Sequence, residues 1–444
     1  MMMSKTDLDD TEAPFPAHRV DIGFRCPVSQ SSSYGQGMAP MYLCPAATAG
    51  GMFFHTDIED EPWIEVDLQQ VRIIGQINVY NREGAKEYID RATPLKVTVS
   101  EIRGEWREVA VTFDCFRGRR ASKPLMLTYP TGLRARFVRL TAQKRTYLHL
   151  DYIEIIQALP ELKYGGITKL KRGEDGLLTC TYVHLYSYGL YANFSTILSD
   201  IIQISRSLIS VTHIDAVRSF NAFKDPPTYD VFPRLCGNIG RDLIQACNDL
   251  DFSAEQVNDH YNTLPLEKLK RVIDIALPAS GGVAMLISSM AASSGIRPKQ
   301  TIAVVYRGTD KGTEIQLASI QDYISVCRRV LERHPDYDIF VQTDQAQARD
   351  AVVAAFPGRC HFFNEIPVTR GATAIHDLQF TVDDDITKEL FAMRMMAAVR
   401  IIAECAYVIN HTGNTGAWIA FHRGHSDRLY QFDSMGSLVD PWSC

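Results

Sequence analysis

The hydrophobic pattern of this chain changes period about a third of the way along, and that change restricts the folds open to it. Up to about residue 158, apolar and polar residues alternate in short runs. These are WIEVDL (63–68), IGQINVYN (74–81), LKVTVS (95–100), WREVAVTF (106–113), ARFVRLTA (135–142) and LDYIEIIQ (150–157). Successive side chains of a strand point to opposite faces, so a period of two predicts half-buried strands. Many such strands separated by turns predict an all-β sandwich or jelly roll over 17–160. From residue 302 the rhythm is different: apolar runs alternate with amphipathic ones. IAVVYR precedes SIQDYISVCRRVLERH (319–334), and DIFVQT (338–343) precedes QAQARDAVVAAF (345–356). RCHFF (359–363) leads to DITKELFAMRMMAAVRIIAECA (385–406), and YVIN (407–410) leads to a helix starting near Thr415, with RLYQF (428–432) last. Strands alternating with helices predict a mostly parallel sheet covered on both faces.

The segment between these regions is mixed. LKYGGITKLKRGEDG (162–176) is rich in Gly, Lys and Glu and is expected to be a linker. LLTCTYVHLY (177–186) has the pattern of a strand, and YGLYANFSTILSDIIQI (188–204) and PLEKLKRVIDIAL (265–277) have apolar residues at helical spacing. SFNAFKDPPTYDVFPRL (219–235) is broken by prolines and predicts a loop. The expected organisation is multidomain: a sandwich over 17–160, an α/β lobe over 172–297 and a Rossmann-like lobe over 298–444, the last two flanking a cleft.

Composition narrows the function classes. A net charge of −6 and a pI near 6.1 argue against nucleic acid as the main partner. The opening MMMSKTDLDDTEAPFPAH has no apolar core of a signal peptide, and no run of 18 apolar residues occurs. Ten cysteines are scattered without a C-x-x-C pair. These features predict a soluble cytoplasmic protein with free thiols, whose contact with a membrane would be peripheral.

The order of motifs in the first third is specific. SQSSSY (29–34) is followed by FFHT (53–56), EPWIEVDL (61–68), VYNR (79–82), LKVTVS, Trp106, RARFVRL (134–140) and LHLDYIEI (148–155). This succession resembles the discoidin-like family, the C-type domains of coagulation factors V and VIII. Extracellular members close the domain with a terminal disulfide, whereas Cys26, Cys44 and Cys115 do not sit in matching positions. Trp63, Val66 and Leu68 are expected in the core, and Arg136 and Arg139 are expected to pair with carboxylates at the sheet ends. Such sandwiches bind ligands on loops at one end. His55, Tyr80, Arg82 and Arg91 are the carbohydrate-binding candidates, because aromatic rings and planar guanidiniums stack on sugars and hydrogen-bond their hydroxyls.

Two segments of the last third should meet at the carboxyl edge of its parallel sheet, where open α/β sheets bind ligands. One is YRGTDKGTE (306–314) and the other NHTGNTG (410–416). A glycine-bearing loop at a helix N-terminus offers backbone N–H groups and a positive dipole end to a phosphate, and Arg307 can bind a diphosphate through its planar fork. YRGTDKGTE, FVQTD (340–344) and CAYVINHTGNTGAWIAFHRG (405–424) together resemble the α1,6-fucosyltransferase superfamily. That resemblance implies a metal-independent, inverting enzyme of GT-B-like fold that uses a GDP-linked sugar. On its pattern Arg307 holds the donor β-phosphate, Asp310 and Lys311 organise the loop, and Glu314 is the general base on the acceptor hydroxyl. Asp344 completes the polar cluster, while His411, Thr412, Gly413, Asn414 and Thr415 contact the nucleotide. Members usually carry a second arginine where this chain has Gly308, and a residue near Ala398 replaces a carboxylate that often reads guanine.

Asp383 and Asp385 in TVDDDI have the D-x-D spacing of a metal-dependent transferase class, but they open a long helix, where capping and the macrodipole account for them. His422 and His425 are expected at the surface, and Asp344 is alternatively a cap for the following helix. The expected function is transfer of a sugar, best guess fucose from GDP-fucose, to a glycan or polysaccharide acceptor, with the sandwich raising the acceptor's local concentration. The alternative is a non-catalytic, lectin-like carbohydrate-binding protein with a degenerate transferase domain.

Overall fold

The computed structural model describes residues 19–35, 40–46, 53–173, 176–186, 189–216, 237–309, 311–313, 315–371 and 388–439. Asp310, Glu314, Asp383 and Asp385, the opening segment and the expected loop at 219–235 lie outside the described residues. Two compact units are present. One takes the described residues up to Glu161 with Thr168–Thr179 and Ser207–Ile209; the other takes the rest.

The first unit is built on β1 (Val28–Gln30), β2 (Phe54–His55), β3 (Trp63–Asn81), α1 (Lys86–Ile89), β4 (Leu95–Ser100), β5 (Arg107–Thr112), β6 (Leu125–Ala142) and β7 (His149–Gln157). Its strands run in the order β2-β7-β3-β6-β4-β5, with β1 also on β3. The two expected strands at 63–68 and 74–81 are one strand. What the sequence presents as a turn between them is an irregularity within β3, where Gln69 takes φ +68° and the register to β6 shifts between Asp67 and Arg72. Each half of β3 then serves a different layer. Residues 64–66 pair with β1, whereas 74–81 pair with β7. Two long strands that bend in this way make the two layers of a β-sandwich.

Ile64, Val66, Leu68, Ile77, Val79, Val97, Val99, Leu140, Ile153 and Ile155 fill its core. Trp63 is only half-buried, which corrects its expected core role. It covers Arg139 instead, whose guanidinium lies 4.3 Å over Trp63 and 4.2 Å over Trp106. Arg139 also pairs with buried Glu65 at 2.7 Å, and Arg136 pairs with Asp67 at 2.9 Å, as expected.

The expected linker at 162–176 contains a strand, β8 (Gly165–Arg172), and with β9 (Leu178–His184) and β10 (Ile209–Asp215) it forms a sheet in the order β10-β9-β8. In ITKLKR the exposed Lys169 and Lys171 flank the half-buried Leu170, so its polarity marks an exposed strand face and not a spacer. The helices here are α2 (Leu190–Arg206), α3 (Gly237–Cys247), α4 (Leu266–Ala276) and α5 (Gly281–Ser294); α3 and α5 are both unforeseen, α5 because its small apolar residues carry little periodicity.

The remaining elements of the second unit are β11 (Thr301–Tyr306), α6 (Ile320–Leu331), β12 (Asp338–Thr343), α7 (Ala346–Ala355), β13 (Cys360–His361), α8 (Lys388–Ala403), β14 (Tyr407–His411), α9 (Asn414–Arg423), β15 (Leu429–Phe432) and β16 (Leu438–Val439). The sheet order is β13-β12-β11-β14-β15-β16, parallel except for β16. Ile302 and Val304 pack with Ile339, Val341, Ile409, Tyr323 and Cys327 on one face. Ala303, Val305, Phe340 and Val408 on the other face are also buried, as a central parallel sheet requires.

Candidate functional site

In the first unit, three of the four carbohydrate candidates converge. His55 ends β2, Arg82 follows the last residue of β3, and Arg91 lies in the helical turn after α1. Both guanidiniums lie over the ring of Tyr88, Arg82 at 4.4 Å and Arg91 at 4.8 Å, and Arg91 also lies 5.1 Å over Tyr147. Stacking in this way fixes a guanidinium by its faces and leaves its N–H edge for a ligand. His55 is buried, with Nδ1 2.8 Å from the carbonyl oxygen of Thr56. A carbonyl only accepts, so Nδ1 carries the hydrogen and Nε2 is left as an acceptor. Guanidinium donors beside an imidazole acceptor can read the two-way hydrogen bonding of a sugar hydroxyl.

Aromatic rings that sequence reasoning missed surround His55. Tyr34 stacks on His55 at 4.5 Å, His149 stacks on it at 5.4 Å, and Tyr147 meets it edge-on at 5.6 Å. His149 is fully buried and neither ring nitrogen has a hydrogen-bond partner. Burial, reinforced by the fields of His55, Arg82 and Arg91, pushes His149 down to about 3. Burial and the same two arginines also hold His55 below its ordinary value. Both imidazoles are therefore neutral near pH 7. Tyr80 is not part of the cluster. Its hydroxyl donates to Glu154 at 3.2 Å and its ring stacks on Tyr152, in a separate network that includes Asn78.

In the second unit, the carboxyl ends of β11, β12 and β14 lie side by side, because Tyr306 is in register with Thr343 and Val304 with Ile409. Asp344 does not cap α7, which Gln345 precedes as N-cap. It reaches back to the loop after β11, accepting from Gly308 N at 2.8 Å and Thr309 Oγ1 at 2.7 Å, with Arg307 Nε at 3.7 Å. The cluster expected of Arg307 and Asp344 is thus assembled. A side chain at position 308 would collide with the Tyr306 ring, 2.6 Å from an added Cβ, so this packing has no room for a second arginine.

The 411–416 turn is tied to the core. Tyr261 Oη lies 3.2 Å from the His411 carbonyl, 3.1 Å from the Gly413 carbonyl and 3.2 Å from Gly413 N. Gln431 donates to Thr412 Oγ1 at 2.7 Å, and His411 faces Tyr323 Oη at 3.4 Å. His411, Thr412 and Gly413 are therefore buried, while Asn414 and Thr415 are half-exposed at the start of α9. Ser195 of α2 donates to Asn414 Oδ1 at 2.8 Å. Gly413 takes φ +138°, a conformation that favours glycine, and an added Cβ there would lie 3.1 Å from Lys311 Nζ. At Gly416 it would lie 2.5 Å from the His411 carbonyl. Lys311 is only 7% exposed and lies against Gly413 at the positive end of α9, while Arg307 follows β11 at the same sheet edge.

His422 corrects an expectation. It is buried, with its ring 5.7 Å from that of Trp418, and burial drives its imidazole well below the ordinary value. His425 is exposed, as expected. Among the described residues no cluster of His, Cys, Asp and Glu could hold a metal ion, and the described cysteines are free.

Residues 27–153 match the F5/8 type C domain family, so the first unit carries the discoidin-like sandwich that its motif order led us to expect. No curated protein matches the chain. Among solved structures, a fucose binding module of Streptococcus pneumoniae is 21% identical, covers 32% of this chain and 99% of its own, and has a TM-score of 0.27. The lectin domain of lectinolysin, complexed with Lewis B antigen, is 22% identical over 32% of this chain and 98% of its own, with a TM-score of 0.25. A fucolectin from striped bass (Morone saxatilis) serum is 18% identical over 36% of this chain and 57% of its own, with a TM-score of 0.28.

Proposed function

We propose that this protein recognises a glycan through its first unit and acts as a nucleotide-sugar-dependent glycosyltransferase through its second. The observation that carries the first half is the convergence of His55, Arg82 and Arg91 on the tyrosine wall of Tyr88 and Tyr147. Stacked guanidiniums donate, His55 Nε2 accepts, and the rings offer apolar faces to C–H groups, which together match the surface of a pyranose. A glycan array with the full chain tests it. Wild type binds a defined set of glycans, and Arg82→Ala loses that set while keeping its melting temperature. An unchanged profile in Arg82→Ala contradicts the assignment.

The second half is supported by the cationic edge of the parallel sheet. Arg307, Lys311 and the N-terminus of α9 suit the diphosphate of a nucleotide sugar, as expected of a fucosyltransferase-like enzyme. The acid–base part of the proposal assigns Glu314 to the acceptor proton and Asp310, with Lys311, to organising the loop, with fucose from GDP-fucose as the favoured donor. Release of GDP from GDP-fucose on adding the array-identified glycan, abolished in Glu314→Gln, is the expected result. No turnover with GDP-, UDP- or CDP-sugars favours the lectin-like alternative.

A further inference from the structure

The serine-rich segment 29–34, the end of β1 and the residues after it, is fastened by many hydrogen bonds. Gln30 Nε2 donates to Ser32 O at 2.6 Å, Ser33 Oγ at 3.1 Å and His55 O at 3.1 Å. Ser31 and Ser32 hydroxyls both donate to Glu59 Oε1 at 2.5 Å. Ser31 Oγ also receives Trp63 N at 3.0 Å, Ser32 Oγ receives Asp57 N at 2.9 Å, and Tyr34 N donates to His55 O at 3.0 Å. Glu59 in turn exchanges backbone bonds with Thr146, the neighbour of Tyr147. What this network holds in place is Tyr34. Its ring covers one face of His55, stands edge-on to Tyr147 at 5.7 Å, and remains 49% exposed.

A tyrosine fixed in this way offers rigid contact area with little side-chain entropy left to lose on binding. It extends the aromatic wall past His55, on the opposite side from buried His149. We infer that Tyr34, with Tyr147, forms a second subsite, which stacks the sugar linked to the one held by His55, Arg82 and Arg91. The preferred ligand is then an oligosaccharide, not its terminal monosaccharide alone. This rests on the glycan-binding role proposed for the first unit.

Calorimetry with the full chain tests the inference. The probes are L-fucose, D-galactose, D-mannose and N-acetyl-D-glucosamine, with di- and trisaccharides ending in each. The expected result is one oligosaccharide bound about tenfold more tightly than its terminal sugar, a difference of about 1.4 kcal/mol. Tyr34→Ala brings that ratio near one and leaves the monosaccharide affinity unchanged, and Tyr34→Phe keeps the ratio. Equal weakening of both ligands in Tyr34→Ala would place Tyr34 in the primary subsite and overturn the inference, as would an unaltered ratio or no oligosaccharide preference in wild type. Binding of none of the probes would remove the glycan-binding role itself, and the second subsite with it.

Discussion

The two candidate sites use similar residue types in opposite ways. In the first unit the guanidiniums of Arg82 and Arg91 rest on tyrosine faces, and His55 commits one ring nitrogen, Nδ1, to the backbone. In the second, Asp344, Thr412 and Gly413 spend their hydrogen bonds on the fold. The first arrangement resembles a binding surface laid over a finished scaffold. The second is a sheet edge whose loops must be locked before any ligand arrives. Substitutions should therefore separate binding from stability at the first site and couple them at the second.

At neutral pH the largest expected effect is at the second site. Asp344→Ala leaves Gly308 N and the Thr309 hydroxyl without their acceptor and should cost about 3 kcal/mol in chemical denaturation. A loss below about 1 kcal/mol would mean that the carboxylate is held there for a ligand and not for the fold.

At the first site, replacing Arg82 and Arg91 together by alanine should weaken glycan binding by about 100-fold, roughly 2.7 kcal/mol, with the melting temperature unchanged. An equal loss of stability would erase the contrast between the sites.

A third test uses pH. His149 titrates near 6.5 when unfolded but is held down to about 3 by burial in the folded state. Between those values the unfolded chain binds the extra proton, so the contribution is fully present above pH 6.5 and is lost progressively as pH falls toward 3. The slope is about 1.4 kcal/mol per pH unit. His149→Phe should flatten it, because a phenyl ring keeps the stack on His55 and takes up no proton. An unaltered slope in that variant would show that other groups dominate.

The smallest effect is expected for Tyr261→Phe. It removes the hydroxyl that ties the 411–413 turn and should cost about 1 kcal/mol, read by denaturation.

Much of this organisation is legible in the sequence where a local period decides it. LKVTVS is a strand over its whole length, and the βα alternation after 300 gives the parallel sheet with helix limits close to those expected. The misses occur where a local signal has two physical causes. Gly, Lys and Glu near 165 mark an exposed strand as readily as a linker, and the break near Gln69 is a bulge within one strand. The glycines of GNTG suit a phosphate loop, yet Gly413 and Gly416 are also required by backbone conformation and by close packing. In FHRGH the polarity hides that His422 lies on the buried side of α9.

Site residues show the same limit. Arg82 and Arg91 could be named because guanidiniums near strand ends are conspicuous. Tyr34 and His149 could not, since 94 residues or more separate them from some of their partners and only the sandwich brings them to His55. Tyr80 was named on residue type alone, and strand alternation turns it toward Glu154.

The proposed function gives one chain two separate ligand sites, one for a glycan and one for a nucleotide sugar. Calorimetric titration of GDP, UDP and CDP, with and without EDTA, into wild type, Arg307→Ala and Arg82→Ala tests it most directly. We predict GDP binding that is indifferent to EDTA, lost in Arg307→Ala and retained in Arg82→Ala, the variant that loses the glycan. Failure of wild type to bind any of the three nucleotides would contradict the account and leave a glycan-binding protein alone.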